Sequence, residues 1–281
     1  MEIKDSTYKT LRVAYLGPPG TFTEQAAISC YPMGALIAYS SISESAAAVL
    51  KDEVDVSICP IENSLHGAVT DTLDALLHQE GLNIKGELAL KIEHTLMAKP
   101  GVTIRDLEKI YSHPQALAQC RRFLSAFGHI ELAASLSTAG AVQQVINSDS
   151  PSAAIAPLRA AEIYGANVLE QGIQDDSNNY TRFVILGKTD SPPTGNDLTS
   201  IAISFSEDRA GQLSFVLNEF AERGINLSKI ESRPTRLGLG KYYFLMDFEG
   251  HRQDEDIAKL LKIIAGQASL IKIFGSYPRM H

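Results

Sequence analysis

The sequence predicts an α/β protein in two parts, a large region that alternates strands with helices and a smaller module with the order βαββαβ. Three observations support this division. Short apolar runs alternate with amphipathic segments from residue 11 to about residue 187. Residues 188–197, KTDSPPTGND, are typical of a polar linker. The residues that follow give six elements in the ferredoxin-like order.

The large region contains four units of strand, loop and helix. Their strands are RVAYL at 12–16, VDVSI at 54–58, KIYS at 109–112 and AAIA at 153–156. Ligands of open α/β sheets bind outside the carboxyl ends of the strands. We therefore expect a site in the loops that follow these four strands.

Residues 86–99, GELALKIEHTLMAK, are typical of one unusually long strand. Such a strand, shared by two lobes, would act as a hinge. The return of the chain through TRFVILG at 181–187 would give a second crossing. We therefore expect hinges near 86–94 and 176–182, with a cleft between two lobes.

The smaller module is predicted to contain a strand at 198–205, a helix at 209–223 and a strand at 225–234, followed by a strand, a helix and a last strand. Leu213, Val216, Leu217 and Phe220 form an apolar stripe at helical spacing. A module of about eighty residues has a small core. We therefore expect it to bury its sheet against a second copy.

Composition and charge exclude several classes of protein. The 281 residues are 44% apolar and 21% charged, as in globular proteins. Acidic residues exceed basic ones by 33 to 25, and no basic cluster indicates a nucleic-acid partner. The first residues carry charges where a signal peptide needs an apolar core, and no apolar run is long enough to cross a membrane. We expect a cytoplasmic protein.

The cysteines and histidines predict neither a disulfide nor a metal site. Cys30, Cys59 and Cys120 are far apart and form no CxxC pair, which favours a reducing compartment. Cys120 falls on an apolar helical stripe, so we expect it to pack rather than to act as a nucleophile. The seven histidines form no HxxxH or HxH pair.

The loop after the first strand, GPPGTFTE, is a candidate anion site. Thr21 and Glu24 fit a capping box, Thr-x-x-Glu, at the start of a helix. Free backbone N–H groups at a helix start bind anions. An ordinary capped turn explains the same residues equally well.

The loop PIENSLHGAV presents a carboxylate, an amide and a hydroxyl at Glu62, Asn63 and Ser64. Such groups can orient a polar ligand, because asparagine both donates and accepts hydrogen bonds. The alternative is a polar loop before a helix that starts near Thr70. We expect His66 to be solvated or to lie on the approach to that helix.

The segment YSHPQALAQC predicts a helix with Pro114 in its first position and Ser112 or His113 as its cap. Gln115 and Gln119 are four residues apart on the side away from the core. This pair faces either a cleft or solvent.

The segment DDSNNYTRFVIL joins polar residues to a strand, with Thr181 and Arg182 on opposite faces. Arg182 would either clamp a carboxylate or form an internal ion pair. The Thr181 hydroxyl can donate a hydrogen bond to a group that leaves with negative charge.

Five segments together resemble the prephenate dehydratase family with a C-terminal ACT regulatory domain: GPPGTFTEQAA, PIENSLHGAVTDTL, YSHPQALAQC, NYTRF and LSKIESRP. The resemblance extends over residues 12 to 278. It implies a two-lobed catalytic region similar to type II periplasmic binding proteins at 11–188, a linker at 189–197 and an ACT domain at 198–281. About ten residues precede the first strand, so we expect the monofunctional form, without a chorismate mutase domain.

The family resemblance also implies the reaction and its site. Prephenate would lose water and carbon dioxide to give phenylpyruvate on the way to phenylalanine, without a metal or other cofactor. Thr181 would donate to the departing hydroxyl, while Asn63, Ser64 and Gln119 position the substrate. The pocket would be completed by Thr21, Ser112, Asn179, Arg182 and Phe183.

Regulation by phenylalanine is implied by the motif ESRP at Glu231, Ser232, Arg233 and Pro234. A strand that ends at a proline is the simpler explanation of this motif. The family's second regulatory motif, GALV, is GQLS here, with Gly211 and Leu213 in place. This departure leaves the strength and ligand preference of regulation open.

Two alternatives to this function follow from the same scaffold. One is arogenate dehydratase, which carries out the same elimination on an amino-group analogue of prephenate. The other is a non-catalytic amino-acid sensor. The sequence also leaves open a homodimer or a homotetramer.

Overall fold

The computed structural model describes residues 10–207, 209–236, 238 and 240–280, and these residues form three sheets. The strands of the first sheet are β1 (Arg12–Leu16), β2 (Ala35–Tyr39), β3 (Val56–Asn63), β4 (Gly67–Ala68), β5 (Asn83–Lys91) and β11 (Tyr180–Gly187). Their order is β2-β1-β3-β11-β5, and the short strand β4 pairs with β3. Three helices accompany them: α1 (Phe22–Cys30), α2 (Ile42–Leu50) and α3 (Thr70–His78).

The second sheet has the order β10-β6-β9-β7-β8. Its strands are β6 (Thr95–Ala98), β7 (Lys109–Ser112), β8 (Glu131–Ala134), β9 (Ser152–Ala156) and β10 (Asn167–Gln171). The helices between them are α4 (Pro114–Gln119), α5 (Arg121–Ser125), α6 (Thr138–Ile146) and α7 (Leu158–Tyr164). Strand β7 runs parallel to β8 and β9, whereas β6 is antiparallel to β9 and β10.

The expected long strand over 86–99 is wrong as a single element. Strand β5 ends at Lys91, β6 begins at Thr95, and the two belong to different sheets. At the break, the backbone N–H of Ile92 donates to Asn179 O, and that of His94 donates to the Gln174 side chain. These two hydrogen bonds are not part of the strand pairing of the first sheet. The extended segment is therefore divided between the two sheets.

The third sheet confirms the ferredoxin-like order. It consists of β12 (Asp197–Ser204), β13 (Leu227–Pro234), β14 (Tyr242–Glu249) and β15 (Leu270–Pro278), arranged β13-β14-β12-β15 with antiparallel neighbours. Helices α8 (Gln212–Glu222) and α9 (Glu255–Gln267) pack on this sheet. Their apolar side chains, among them Val216, Phe220 and Leu260, form its core.

The chain divides into two compact units, one of residues up to 70 with 88–183, the other of residues 71–87 with 184 onward. The second unit therefore contains most of α3. Within it, Lys272 donates to the carbonyls of Leu77 and Gln79 at the end of α3. The residue division at 188 and 198 that the sequence favours stays a prediction.

Two apolar clusters of the first unit pack around strands of the second sheet. One includes Leu96, Ile110 and Ile155, and the other includes Val142 and Val145. Among the described residues, no helix has the length and apolar character needed to cross a membrane.

Candidate functional site

Thr181 and Asn63 meet where β11 begins and β3 ends. The Asn63 Nδ2 atom donates to Thr181 Oγ1 over 2.9 Å. Both side chains are buried, with 9% and 7% exposed. Since Thr181 Oγ1 accepts in this bond, its own proton is free, and the structure gives that proton no acceptor among the described residues. The arrangement can therefore donate a hydrogen bond to a ligand.

The Asn63 amide has a fixed orientation. Its oxygen accepts from the backbone N–H groups of Leu65 and His66, each over 3.1 Å. Its nitrogen also donates to Asn179 Oδ1 over 2.8 Å and lies 3.1 Å from Tyr180 O. A flipped amide would place its NH₂ group against two donors, so the nitrogen faces Thr181.

Gln119, the last residue of α4, extends this network to the second sheet. Its Oε1 accepts from Asn179 Nδ2 over 2.9 Å and lies 2.7 Å from His94 Nε2. Its Nε2 lies 3.1 Å from His66 Nδ1. The structure thus brings together Asn63, Gln119, Asn179 and Thr181, which we call the amide network.

The other hydroxyls of the predicted pocket bind backbone. Ser64 Oγ donates to Asn178 O and accepts from Tyr180 N–H, each over 3.0 Å, and so holds the start of β11. Ser112 Oγ donates to Ile155 O over 2.6 Å and is fully buried. Their predicted contacts with substrate stay predictions.

Thr21 caps α1 rather than presenting its hydroxyl. Its Oγ1 donates to Leu16 O and accepts from Glu24 N–H. The expected capping box forms only in part, because the Glu24 carboxylate accepts from the N–H of Gly20 over 2.8 Å. His113, one of the two expected caps, caps α4 by accepting from the N–H of Gln115.

Arg182 and Phe183 both have partners inside the protein. Arg182 Nε lies 3.8 Å from Glu62 Oε2, which favours the internal ion pair over the carboxylate clamp. The Phe183 ring is 1% exposed and packs in the core. A substrate contact for either residue is still a prediction.

Two histidines of the site were missed by sequence reasoning. His66 is exposed, as expected of a residue that is solvated or on the approach to α3, but it also contacts Gln119 and Asn63. His94 is 2% exposed, and burial lowers the pKa of its ring. A single histidine inside an apolar strand pattern carries no motif. The signal that could have found His94 is its place in the segment 86–94, where the sequence predicts a hinge.

An ion pair links α1, beside the first sheet, with α7, beside the second. Arg159 Nε donates to Glu24 Oε2 over 2.9 Å, and the Glu24 side chain is only 7% exposed. Nearby, Tyr164 donates to Pro19 O over 2.6 Å. Gly20, with φ of +89°, approaches α7 so closely that a Cβ would lie 3.1 Å from backbone of α7. We call this set the α1–α7 contact.

Neither an activated Cys120 thiol nor a metal-binding cluster is found among the described residues. Burial raises the pKa of Cys120 to about 12, consistent with a packing role. Among the described residues, no group of three or more His, Cys, Asp or Glu side chains could hold a metal ion.

The predicted regulatory residues lie in the C-terminal module. Gly211, with φ of +90°, is the N-cap of α8, and Leu213 lines a cavity of about 400 Å³ that Gln212 and Tyr242 also line. At the end of β13, Glu231 pairs with Lys229 over 3.3 Å, Arg233 pairs with Asp74 of α3 over 2.6 Å, and Ser232 and Pro234 are exposed.

Comparison with known proteins decides the family. Residues 13–191 match the family model of prephenate dehydratase, and residues 199–266 match that of the ACT domain. The chain belongs to the prephenate dehydratase family. Prephenate dehydratases are lyases, so this membership favours the enzyme over the non-catalytic sensor.

Relatives and solved structures agree with this membership. The bifunctional chorismate mutase/prephenate dehydratase of Neisseria gonorrhoeae is 40% identical over 96% of this chain and 75% of its own length. The prephenate dehydratase of Mycolicibacterium gilvum is 38% identical over 95% of this chain and 90% of its own. The crystal structure of the Arthrobacter aurescens prephenate dehydratase in complex with L-Phe has a TM-score of 0.87 and 35% identity, covering 96% of this chain and 90% of that one. The expected fold class is therefore confirmed.

Proposed function

We propose that this chain converts prephenate to phenylpyruvate, carbon dioxide and water, with Thr181 donating a hydrogen bond to the departing hydroxyl. The observation that carries the proposal is the hydrogen bond from Asn63 Nδ2 to Thr181 Oγ1. It occupies the oxygen of Thr181 as an acceptor and leaves the proton available.

The elimination needs a donor at one end of the ring. The bond between the ring and its carboxylate breaks, its electron pair enters the ring, and the hydroxyl on the opposite carbon leaves with its bonding pair as hydroxide, which takes up a proton from solvent to become water. Aromatisation drives the step. A hydrogen bond that meets the oxygen as charge develops stabilises the transition state more than the ground state.

The surroundings suit the other end of the reaction. The four members of the amide network are uncharged and 1–9% exposed. Because decarboxylation disperses charge, a site with little water favours it. The α1–α7 contact, with a buried carboxylate at Glu24, is how we expect the cleft to be kept closed to water.

The remaining predicted residues support the network in this proposal. Ser64 holds the strand that carries Thr181, and Thr21 holds the start of α1. Ser112 joins β7 to β9. Arg182 acts through its ion pair with Glu62.

Phenylalanine is the effector that the ACT domain and the Phe-bound relative support. We propose that it binds at Gly211, Leu213 and the ESRP residues Glu231–Pro234, between two copies of the C-terminal module. β13 is an edge strand and leaves Ile230 48% exposed, which supports pairing with a second copy. Sedimentation with and without phenylalanine would distinguish monomer, homodimer and homotetramer.

We also propose a cytoplasmic location, because Cys30, Cys59 and Cys120 are all free thiols. Adding protease to intact cells would test this location. A cytoplasmic protein would be protected, whereas an exported protein would be digested.

The decisive experiment compares two substrates. Purified protein is given prephenate or arogenate at equal concentrations, and phenylpyruvate or phenylalanine is measured. Plant arogenate dehydratases are also related to this chain, which is why both arms are needed. We expect a larger kcat/KM on prephenate. If only arogenate is converted, arogenate is the substrate instead of prephenate. If neither compound is converted, the proposal is overturned.

A further inference from the structure

His94 lies in the break between β5 and β6 and contacts the amide network at Gln119. Its backbone is held on both sides, because its N–H donates to Gln174 Oε1 over 2.9 Å and its carbonyl accepts from Ile173 over 3.1 Å. The Phe22 ring stands edge-on to the imidazole, with 5.6 Å between centroids. The histidine ring therefore has a defined place.

The hydrogen bond from His94 has one possible direction. Its Nε2 lies 2.7 Å from Gln119 Oε1, which already accepts from Asn179 Nδ2. An amide oxygen cannot donate, so Nε2 carries the proton. Nδ1 is then a bare acceptor, and it is buried with no partner among the described residues.

Folding stability alone does not account for this residue. A buried polar atom without a partner destabilises the fold, whereas an apolar side chain of similar size would carry no such cost. What the imidazole supplies, and an apolar side chain cannot, is the donor to Gln119.

That donor agrees with the polarity that the backbone N–H groups of Leu65 and His66 set at Asn63, and it adds a second donor to Gln119 Oε1. With two donors facing Gln119 Oε1, the Gln119 NH₂ group must face the other way, toward His66. Asn179 must then turn its oxygen to Asn63, whose NH₂ group in turn donates to Thr181. Reversing any one amide would set two donors against each other.

We propose that His94 is a positioning residue of the elimination, which holds the Gln119 amide in the orientation that the rest of the network requires. The proposal rests on the proposed function for its activity readout. His94 itself touches neither Thr181 nor, in this proposal, the reacting atoms.

The test uses two substitutions that differ in which ring nitrogen they imitate. The amide of His94→Gln can donate from about the position of Nε2, whereas that of His94→Asn lies nearer Nδ1. We expect His94→Asn to lower kcat roughly 10- to 100-fold, as for misplaced catalytic groups, with little change in KM. We expect His94→Gln to recover most of the loss. The control is Ser152→Ala, which changes another buried polar residue, in β9 of the second sheet, and should keep its kcat.

A double-mutant cycle with Gln119→Ala then separates positioning from general destabilisation. If His94 acts through Gln119, His94→Asn causes little further loss in the Gln119→Ala background. Independent, multiplying losses would overturn the inference, as would full kcat in His94→Asn. A wild-type protein without phenylpyruvate formation would instead refute the proposed function. Melting temperatures of all variants show which losses reflect unfolding.

Discussion

The amide network and the charged cluster around Asp74 organise their side chains by different physics. The network joins neutral amides and a hydroxyl that are 1–9% exposed. In the cluster, Asp74 pairs with Arg233 over 2.6 Å and with Arg236 over 3.4 Å, and the three side chains are 27%, 11% and 72% exposed. The amide network depends on the direction of its hydrogen bonds, whereas the charged cluster depends on the attraction between opposite charges.

This difference has consequences for function. A hydrogen bond between neutral groups specifies which atom donates, and burial makes a wrong orientation costly. An ion pair near the surface is weaker, screened by salt and tolerant of geometry. Direction suits the control of a single proton at Thr181, and charge suits an arrangement that an effector can shift.

The largest effect is expected at the end of the amide network. Thr181→Val keeps the shape of the side chain and removes the donor, so kcat should fall about 10²- to 10³-fold, as when one oxyanion donor is lost. Thr181→Ser retains the hydroxyl and should stay much closer to wild type. Steady-state assays of phenylpyruvate check both. Near-normal kcat in a folded Thr181→Val protein contradicts the assigned role.

The next effect is expected when the hydrogen bond to Thr181 is reversed while the side-chain shape at position 63 is kept. Asn63→Asp is nearly isosteric, but its carboxylate would accept the Thr181 proton instead of donating to the oxygen. We expect kcat to fall about 10²-fold, at least as far as in Asn63→Ala. Asn147→Asp, on the exposed end of α6, is the matched control. If Asn63→Asp were as active as wild type, the polarity of the network would not matter.

Substitutions in the α1–α7 contact test whether the ion pair of the buried Glu24 is as sensitive to change as the amide network or as tolerant as the charged cluster. Glu24→Gln keeps an acceptor for Gly20 but loses the charge facing Arg159. Loss of a charge-assisted bond of about 1.5 kcal/mol corresponds to roughly a 10-fold fall in kcat/KM. Glu162→Gln removes the exposed partner of the same arginine, 3.7 Å away, and should have little effect. Equal results for the two would show that burial at Glu24 is irrelevant.

A smaller effect, on regulation alone, is expected at the charged cluster. Asp74→Asn should leave kcat without phenylalanine within about 2-fold and change the half-inhibitory phenylalanine concentration several-fold, within the usual range of allosteric coupling. The difference should shrink at high salt. Glu255→Gln, from the exposed pair with Lys259, is the control. An unchanged inhibition curve would remove Asp74 from regulation.

The smallest effect is a pH dependence of stability. Burial lowers the pKa of His94 in the folded protein, so below about pH 6.5 the unfolded chain binds the extra proton first. The contribution of this group is therefore present above that pH and lost as the pH falls. His94→Gln should show a shallower fall in melting temperature from pH 7 to pH 5. His113, whose pKa burial also lowers, leaves part of the slope in both proteins.

The local elements follow from the sequence because their signals lie within a few residues. The strands at Arg12–Leu16 and Lys109–Ser112 and the start of α3 at Thr70 agree with the predicted positions. Strand–loop–helix alternation also predicted which units carry Asn63, at the end of β3, and Gln119, at the end of α4. The segment over 86–99 failed because a strand pattern does not reveal which sheet each half joins.

The sequence by itself determined the α/β class, the βαββαβ module and, through five short motifs, the family and the residues of the amide network. Only the tertiary structure decided how those residues are oriented. Asn63 and Thr181 are 118 positions apart, and nothing local states which of them donates. Hydrogen-bond direction is a property of several side chains meeting in a buried volume, so His94 and the pairing of Arg182 with Glu62 emerge only when the chain is folded.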